Sequence, residues 1–301
     1  MYDLIVVGGG PAGLTATIYA LRKRLNVLMI SKDLGGKTNW RLTLPGVDEY
    51  HQIIKGLEVV NKFKSELEYL NFARQMEPVE KVSKKGDHFV VQTKSGGEME
   101  AKAVIIATGT KQEFMNVPGE KKFIMRGLCY SALSYAPLFI DKTSTVIGDS
   151  DLALRSAAEL ATVATHVNIV GPTSEVLDSP LGKKLQAAEN VSVYEGYKVT
   201  KVLGSDFAEK IEVESPDGKE DEIAADGTFV EMGLVPNSKM VADLVDLDER
   251  GRIQIDCAAK TSMPGIFAAG DVTQLDAEQV LIAVGEGAKA ALSAYEYLLK
   301  L

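Results

Sequence analysis

Residues 3–31 read DLIVVGGGPAGLTATIYALRKRLNVLMIS, and the fold follows from how that stretch divides. Residues 3–7 are a short β-branched run. Residues 11–24 repeat apolar side chains at helical spacing, and 26–31 are a second strand of buried type. Strand, helix and strand within thirty residues make a βαβ unit. Its first turn, Gly8-Gly9-Gly10-Pro11-Ala12-Gly13, is G-x-G-x-x-G. In that motif Gly8 allows the tight turn, Gly10 leaves room for a pyrophosphate against the backbone, and Gly13 lets helix and strand pack closely. The helix start then offers unpaired N–H groups and a positive dipole end to phosphates. A dinucleotide site is the reading; a glycine-rich turn without ligand is the bland alternative.

The same design recurs from about Ser144. STVIGDSD reads as strand and turn, LALRSAAELATVA as an alanine-rich helix, and HVNIVG as the next strand. Between the two units, 77–107 alternates apolar and polar residues around the turns KKGD and SGGE, the pattern of an antiparallel meander. A second such set, beginning SVYEGYKVTKV, follows the second unit. A helix of roughly Gln279 to Leu299 closes the chain. The expected fold is therefore α/β, with two Rossmann-like nucleotide-binding domains, each a βαβ core plus a β-meander. Junctions at 116–122 (NVPGEKK) and 233–239 (GLVPNSK) divide it into a discontinuous first domain, 1–115 with 240–301, and an inserted second domain, 116–239.

A length of 301 residues gives each domain room for its own core. The net charge of −9 argues against nucleic acid or an anionic membrane as partner. No apolar run reaches bilayer length, and MYDLIVVGGG enters a strand without a basic leader. Cytoplasmic residence is the expectation. Cys129 and Cys257 lie far apart and show no metal-ligand spacing, so no metal is expected.

Two later segments complete the pattern. Ala107-Thr108-Gly109 ends a β-branched strand, and Gly265-Ile266-Phe267-Ala268-Ala269-Gly270-Asp271 ends another just before the final helix. With the N-terminal glycine motif, these resemble the pyridine nucleotide–disulfide oxidoreductase superfamily, and most nearly its low-molecular-weight thioredoxin reductase group. The likeness runs over essentially the whole chain. It implies FAD as cofactor, held by Gly8, Gly10, Pro11, Ala12 and Gly13 and by Ser31, Lys32, Gly36, Lys37, Val79, Thr108, Gly109 and Gly270. It also implies that Asp271 bonds the ribityl and phosphate region and that Gln279 and Val280 meet the pyrimidine edge of the flavin. A helix N-terminus there stabilises negative charge on the reduced ring. A homodimer is implied as well.

The chain departs from that group at several places. The second strand ends Ile30-Ser31-Lys32-Asp33, so Ser31 and Asp33 are the candidates for the hydrogen bonds of the usual ribose-binding acid. Gly35-Gly36-Lys37 stands where the group has Gly-Gly-Gln; Lys37 either places a cation near the cofactor or points to solvent. Trp40 either covers the flavin or is a core or interface residue. In the second glycine turn, Gly148-Asp149-Ser150-Asp151-Leu152-Ala153, the members of the group have G-x-G-x-x-A for NADPH. Ser150 replaces the glycine over which the pyrophosphate passes, and Asp149 and Asp151 add negative charge near an anion site. The histidine and paired arginines that grip the 2′-phosphate in the group have no counterpart in 169–175, IVGPTSE, and Arg155 on the helix is no obvious substitute. These residues argue against NADPH; a second nucleotide or flavin, or only a structural role, remains for this site.

The group's Cys-Ala-Thr-Cys aligns with Ser131-Ala132-Leu133-Ser134, so the two thiol positions hold serines, and the proton-transferring acid after them is Tyr135. Serine forms neither a thiolate at neutral pH nor a disulfide. Cys129 is either a buried small hydrophobe or a lone thiol working through a mixed disulfide. Cys257 reads as strand or turn packing. The expectation is a FAD-dependent oxidoreductase other than a conventional NADPH–thioredoxin reductase. Its flavin would exchange electrons with a ferredoxin, a flavodoxin or a small redox substrate. The alternatives are a flavin-binding subunit or redox sensor with little catalysis, and an NAD(P)H-dependent ferredoxin or disulfide reductase with an atypical second site.

Overall fold

The computed structural model describes residues 1–46, 55–275 and 277–301. The chain begins with β1 (Tyr2–Val7), α1 (Pro11–Arg22) and β2 (Val27–Ile30). These lead to α2 (Leu57–Tyr69), β3 (Arg74–Gln75), the meander β4 (Val79–Lys85), β5 (His88–Thr93) and β6 (Glu98–Ile106), and a short β7 (Thr110–Gln112). β1 lies parallel to β2 (Val6↔Met29) and to β6 (Val6↔Ile105). β6 in turn pairs antiparallel with β5, so the meander is joined to the parallel sheet through one shared strand, in the order β3-β2-β1-β6-β5-β4. Successive β1 side chains point to opposite faces. Leu4 and Val6 enter the core with α1, whereas Ile5 and Val7 enter the core on the other face with Val241, Ile253 and Val272. Burial on both faces explains why the strand is apolar from Leu4 to Val7. α2 lies outside the sequence expectations, although its buried residues Leu57, Val60, Phe63 and Leu67 keep helical spacing.

The second body contains α3 (Glu120–Phe123), β8 (Leu128–Cys129), α4 (Ala132–Tyr135), β9 (Thr143–Ile147), α5 (Asp151–Ala161) and β10 (His166–Val170). α6 (Ser174–Leu177), α7 (Pro180–Gln186) and β11 (Val191–Tyr194) follow. Next come β12 (Lys198–Gly204), β13 (Ala208–Glu214), β14 (Glu220–Ala224) and β15 (Gly227–Val230), and β16 (Leu234–Pro236) covers the point where the chain passes back to the first body. The parallel sheet of the second body runs β11-β10-β9-β15-β8, and β12, β13 and β14 form a separate antiparallel sheet. Residues 192–194, expected at the head of the second meander, belong to the parallel sheet: Val193 pairs with Ile169. The chain then returns to the first body with β17 (Ile266–Ala268), parallel to β6, and α8 (Val280–Leu298).

Two compact units result. One holds Met1–Asn39, Lys55–Lys111 and Val235–Leu301; the other holds 40–46 together with Gln112–Leu234. The continuous first segment 1–115 needs correction at 40–46. Leu42 and Leu44 pack with Cys129, Ala132 and Phe139, and the Thr43 N–H donates to Met125 O at 2.8 Å, so this short stretch is built into the second unit. The mixed α/β class and the paired parallel sheets agree with the sequence reading.

Candidate functional site

The first glycine turn is built by three different constraints. Gly8 has φ +113, and a Cβ on it would lie 2.2 Å from Ala107 O. A Cβ on Gly13 would lie 1.9 Å from Gly8 O, so strand and helix touch backbone to backbone. Gly10 differs from both. As N-cap of α1 it has φ −73 and ψ −176, open to any residue, and a Cβ there would meet no atom within 4 Å. Neither backbone nor protein packing calls for glycine at that position. The bare edge leaves a cradle before a helix N-terminus that lacks a capping side chain, with Pro11 at the first turn where its missing N–H costs nothing. That cradle fits a dinucleotide phosphate.

Beside it, the end of β2 closes on itself. Ser31 Oγ donates to Asp33 O at 2.7 Å, and the Gly36 N–H donates to Asp33 Oδ1 at 2.9 Å. Of the two candidates for the ribose, Asp33 thus uses one carboxylate oxygen to shape the loop, and Lys32 is exposed with Nζ 3.8 Å from Asp33 Oδ2. Thr108 and Gly109 are fixed by Asn237, a residue the sequence reading placed only in a junction. Thr108 Oγ1 donates to Asn237 O at 2.7 Å, and Asn237 donates through Nδ2 to Thr108 O and through its N–H to Gly109 O, both at 2.9 Å. Val79 starts β4 and packs, partly buried, against the core that holds Val82 and Phe89.

Lys37 does not point away into solvent. Its Nζ lies 2.7 Å from Asp271 Oδ2, 2.9 Å from Thr110 Oγ1 and 3.6 Å from Glu278 Oε2. Burial lifts the Glu278 carboxyl above its ordinary range; the Lys37 charge opposes that rise and Asp271 adds to it. Gly270 has φ +77 and delivers Asp271 to this cluster. Gln279 is the N-cap of α8 without a capping side-chain bond, and Val280 is the first residue of the helix. Glu278 was absent from the sequence expectations, although it directly precedes Gln279.

The second glycine turn also joins a strand to a helix, but its backbone and contents differ: Gly148 lacks the positive φ of Gly8, and the N-cap Ser150 has φ −161 where Gly10 has −73. A Cβ on Gly148 would lie 2.4 Å from Glu231 O, and Ala153 is fully buried. Ser150 is the N-cap of α5, and its hydroxyl accepts from the Ala153 N–H at 3.3 Å. One of the N–H groups that the helix start could offer a phosphate is thus engaged by the turn itself. Asp149 Oδ1 accepts from Thr173 N at 2.8 Å and from Thr173 Oγ1 at 2.9 Å, tying the turn to the loop after β10. Arg155 is occupied on the helix surface, with Nε 3.1 Å from Asp151 Oδ2.

At the start of α4, Ser131 Oγ and Ser134 Oγ are 2.8 Å apart. Beneath them the buried Glu231 accepts from the Ala132 N–H at 2.8 Å and from Ser156 Oγ at 3.1 Å, both at Oε1. Cys129 is buried in β8, and desolvation pushes its pKa up to about 12. The Tyr135 hydroxyl, also pushed up to about 12 by burial, donates to Trp40 O at 3.0 Å. Trp40 meets Tyr130 edge-on, ring centroids 6.2 Å apart, which favours the core reading for this tryptophan. Cys257 is exposed in a turn, and the expectation that it packs is corrected.

Two parallel sheets, each with a glycine turn at the strand-to-helix junction, define a dinucleotide-binding α/β protein. The chain belongs to the pyridine nucleotide-disulphide oxidoreductase family, whose model matches residues 2–287. Its structure is similar to thioredoxin reductase from Streptococcus pyogenes MGAS5005, with a TM-score of 0.87 and 34% identity over 100% of this chain and 99% of that one. Thioredoxin reductase from Lactococcus lactis gives 0.67 and 30% over the full length of both. In sequence the chain is 34% identical over 304 residues to the alkyl hydroperoxide reductase F protein of Staphylococcus aureus strain MSSA476, covering 99% of this chain and 59% of that protein. The corresponding Pseudomonas aeruginosa protein is 35% identical, with 58% of it covered. The chain thus spans about three fifths of the length of these two relatives. The family is one of FAD-dependent oxidoreductases. Among the described residues, no helix is long and apolar enough to cross a membrane.

Proposed function

We propose that the chain is a FAD-dependent oxidoreductase whose flavin exchanges electrons without a protein disulfide. The observation that carries this reading is the hydrogen-bonded pair Ser131 and Ser134, 2.8 Å apart, at the two positions where the resemblance puts a dithiol. Hydroxyls cannot take up and pass on electrons as a dithiol does. The neighbouring Cys129 is buried and stays protonated far above neutral pH, its pKa pushed up to about 12.

In this reading the open edge at Gly10 receives the FAD pyrophosphate at the N-terminus of α1. Thr108 and Gly109, fixed by Asn237, line the cofactor, and Asp271 bonds its ribityl and phosphate region. Gln279 and Val280 meet the pyrimidine edge. Bound there, FAD supplies the electron-carrying chemistry that these side chains lack. The protein's part is to bind and orient the cofactor and to present the end of α8 to developing negative charge. Ser150, capping its own helix, together with Asp149 and Asp151, argues against NADPH as donor at the second turn. A ferredoxin, a flavodoxin, or a small quinone-like or thiol substrate then serves as partner.

The test is anaerobic mixing of the purified holoprotein with NADPH, NADH and reduced ferredoxin while flavin absorbance is followed. Bleaching by reduced ferredoxin and not by NADPH is expected. Rapid bleaching by NADPH would overturn the reading of the second turn. Absence of bleaching by any donor would favour a flavin-binding sensor.

A further inference from the structure

Lys37 is a hub where charges converge on the cofactor side of the first unit. Its partners come from separate elements: Thr110 at the start of β7, Asp271 after β17, and Glu278 directly ahead of α8. One ammonium therefore faces two carboxylates in a partly desolvated setting. α8 is 19 residues long, with no capping side chain and no acid in its first turn, so no residue of the helix itself offsets the positive end of its N-terminus. Glu278 stands just in front of that end. An uncompensated carboxylate there would cancel the helix field for any anionic group that meets it. Burial already disfavours its charged form, and Lys37 is the stronger of the two cations that favour it, the other being Arg252.

We propose that Lys37 is a positioning residue of the flavin site: its ammonium offsets one of the two negative charges of the Asp271–Glu278 pair, so that the carboxylates do not cancel the positive field that α8 presents to FAD. The inference rests on the assignment of this site to FAD. Without Lys37, two carboxylates face the cofactor; binding of its phosphates weakens, and reduction of the flavin, which adds negative charge, becomes harder. Removing the Glu278 charge has the opposite effect on the potential. Removing both charges together returns the site close to its original balance, which a merely structural role for Lys37 would not do.

The experiment uses holoprotein for dye-equilibrated flavin potentials and deflavinated protein for FAD titration, on the wild type, Lys37→Met, Glu278→Gln and the double variant. Lys37→Met is expected to bind FAD roughly tenfold more weakly, the scale of one charge-assisted contact, with a potential shifted negative. Glu278→Gln is expected to shift the potential positive, and the double variant to recover both quantities toward the wild type. Unchanged affinity and potential in Lys37→Met, or a double variant no better than Lys37→Met, overturns the proposal. Should Lys37→Met not fold, an unchanged potential in Glu278→Gln overturns it by itself. Wild-type protein that releases no FAD on denaturation sinks the cofactor assignment and this inference with it, a result distinct from intact FAD binding with unaltered variants.

Discussion

Ser131 Oγ and Ser134 Oγ share a hydrogen bond of 2.8 Å across the first turn of α4, spanning with a proton the gap that a disulfide would span with a covalent bond. Carbon–sulfur bonds are longer than carbon–oxygen bonds, so cysteines at these positions would bring their sulfurs within bonding reach. The double variant Ser131→Cys with Ser134→Cys is therefore expected to close a disulfide in air. Thiol titration of the folded, oxidised variant should count the same reactive thiols as the wild type, and more after mild reduction. Extra reactive thiols without reduction would show that the turn does not hold disulfide geometry.

Cys129 and Cys257 should be told apart by any thiol reagent. Cys257 is exposed, whereas Cys129 is sealed in β8 with its pKa pushed up to about 12. At pH 8 only roughly one Cys129 in ten thousand is then a thiolate, and the thiolate is the reacting form. Mass spectrometry after alkylation of native protein should find Cys257 modified and Cys129 untouched until denaturant is added. Labelling of Cys129 in the folded protein at a rate like that of Cys257 would contradict its burial.

Gly10 and Gly13 make opposite predictions although they belong to one motif. A side chain at Gly10 meets no protein atom within 4 Å, and its backbone is ordinary. Gly10→Ser should therefore fold with a thermal midpoint near that of wild-type apoprotein, yet retain little FAD. Gly13→Ala drives a methyl to 1.9 Å from Gly8 O and should be destabilised by roughly 1–3 kcal/mol or more, as an overpacked contact is. Circular dichroism with released-flavin absorbance checks both. A Gly10→Ser protein that keeps full FAD would mean the open edge is not the phosphate cradle.

What the chain reveals before folding depends on the span of each interaction. The turn at 8–13 was legible because its tight turn, open edge and close packing all act within six consecutive residues. The strand at Val191–Tyr194 was not, because alternation is shared by meander and parallel edge strands, and its partner Val167–Val170 is set by the whole sheet. The Lys37 cluster was hidden for a different reason. Asp271 and Glu278 lie more than two hundred positions away in the chain, and only the return of β17 to β6 brings them to Lys37. Asn237 likewise looked like a junction residue until its three hydrogen bonds to 108–109 were in view.

Asp3 ties β1 to β6 and to the residue before β2, and should make the stability of the first unit depend on acid. Lys102 Nζ donates to Asp3 Oδ1 at 2.8 Å, and the Asn26 N–H donates to Oδ2 at 3.0 Å. The Lys102 hydrogen bond first, and the Asn26 N–H next, hold the carboxyl below its ordinary range. The folded chain therefore binds this proton less readily than the unfolded chain does. Its contribution is complete above the unfolded aspartate range, about pH 4, and is lost as pH falls through the depressed folded value. Because the pair is partly exposed, solvent screening holds that contribution to roughly 1 kcal/mol or less. Asp3→Asn should lower the thermal midpoint near neutral pH, and the gap to the wild type should narrow below about pH 4. A gap that stays constant into acid would assign the loss to packing at Asp3 and not to its charge.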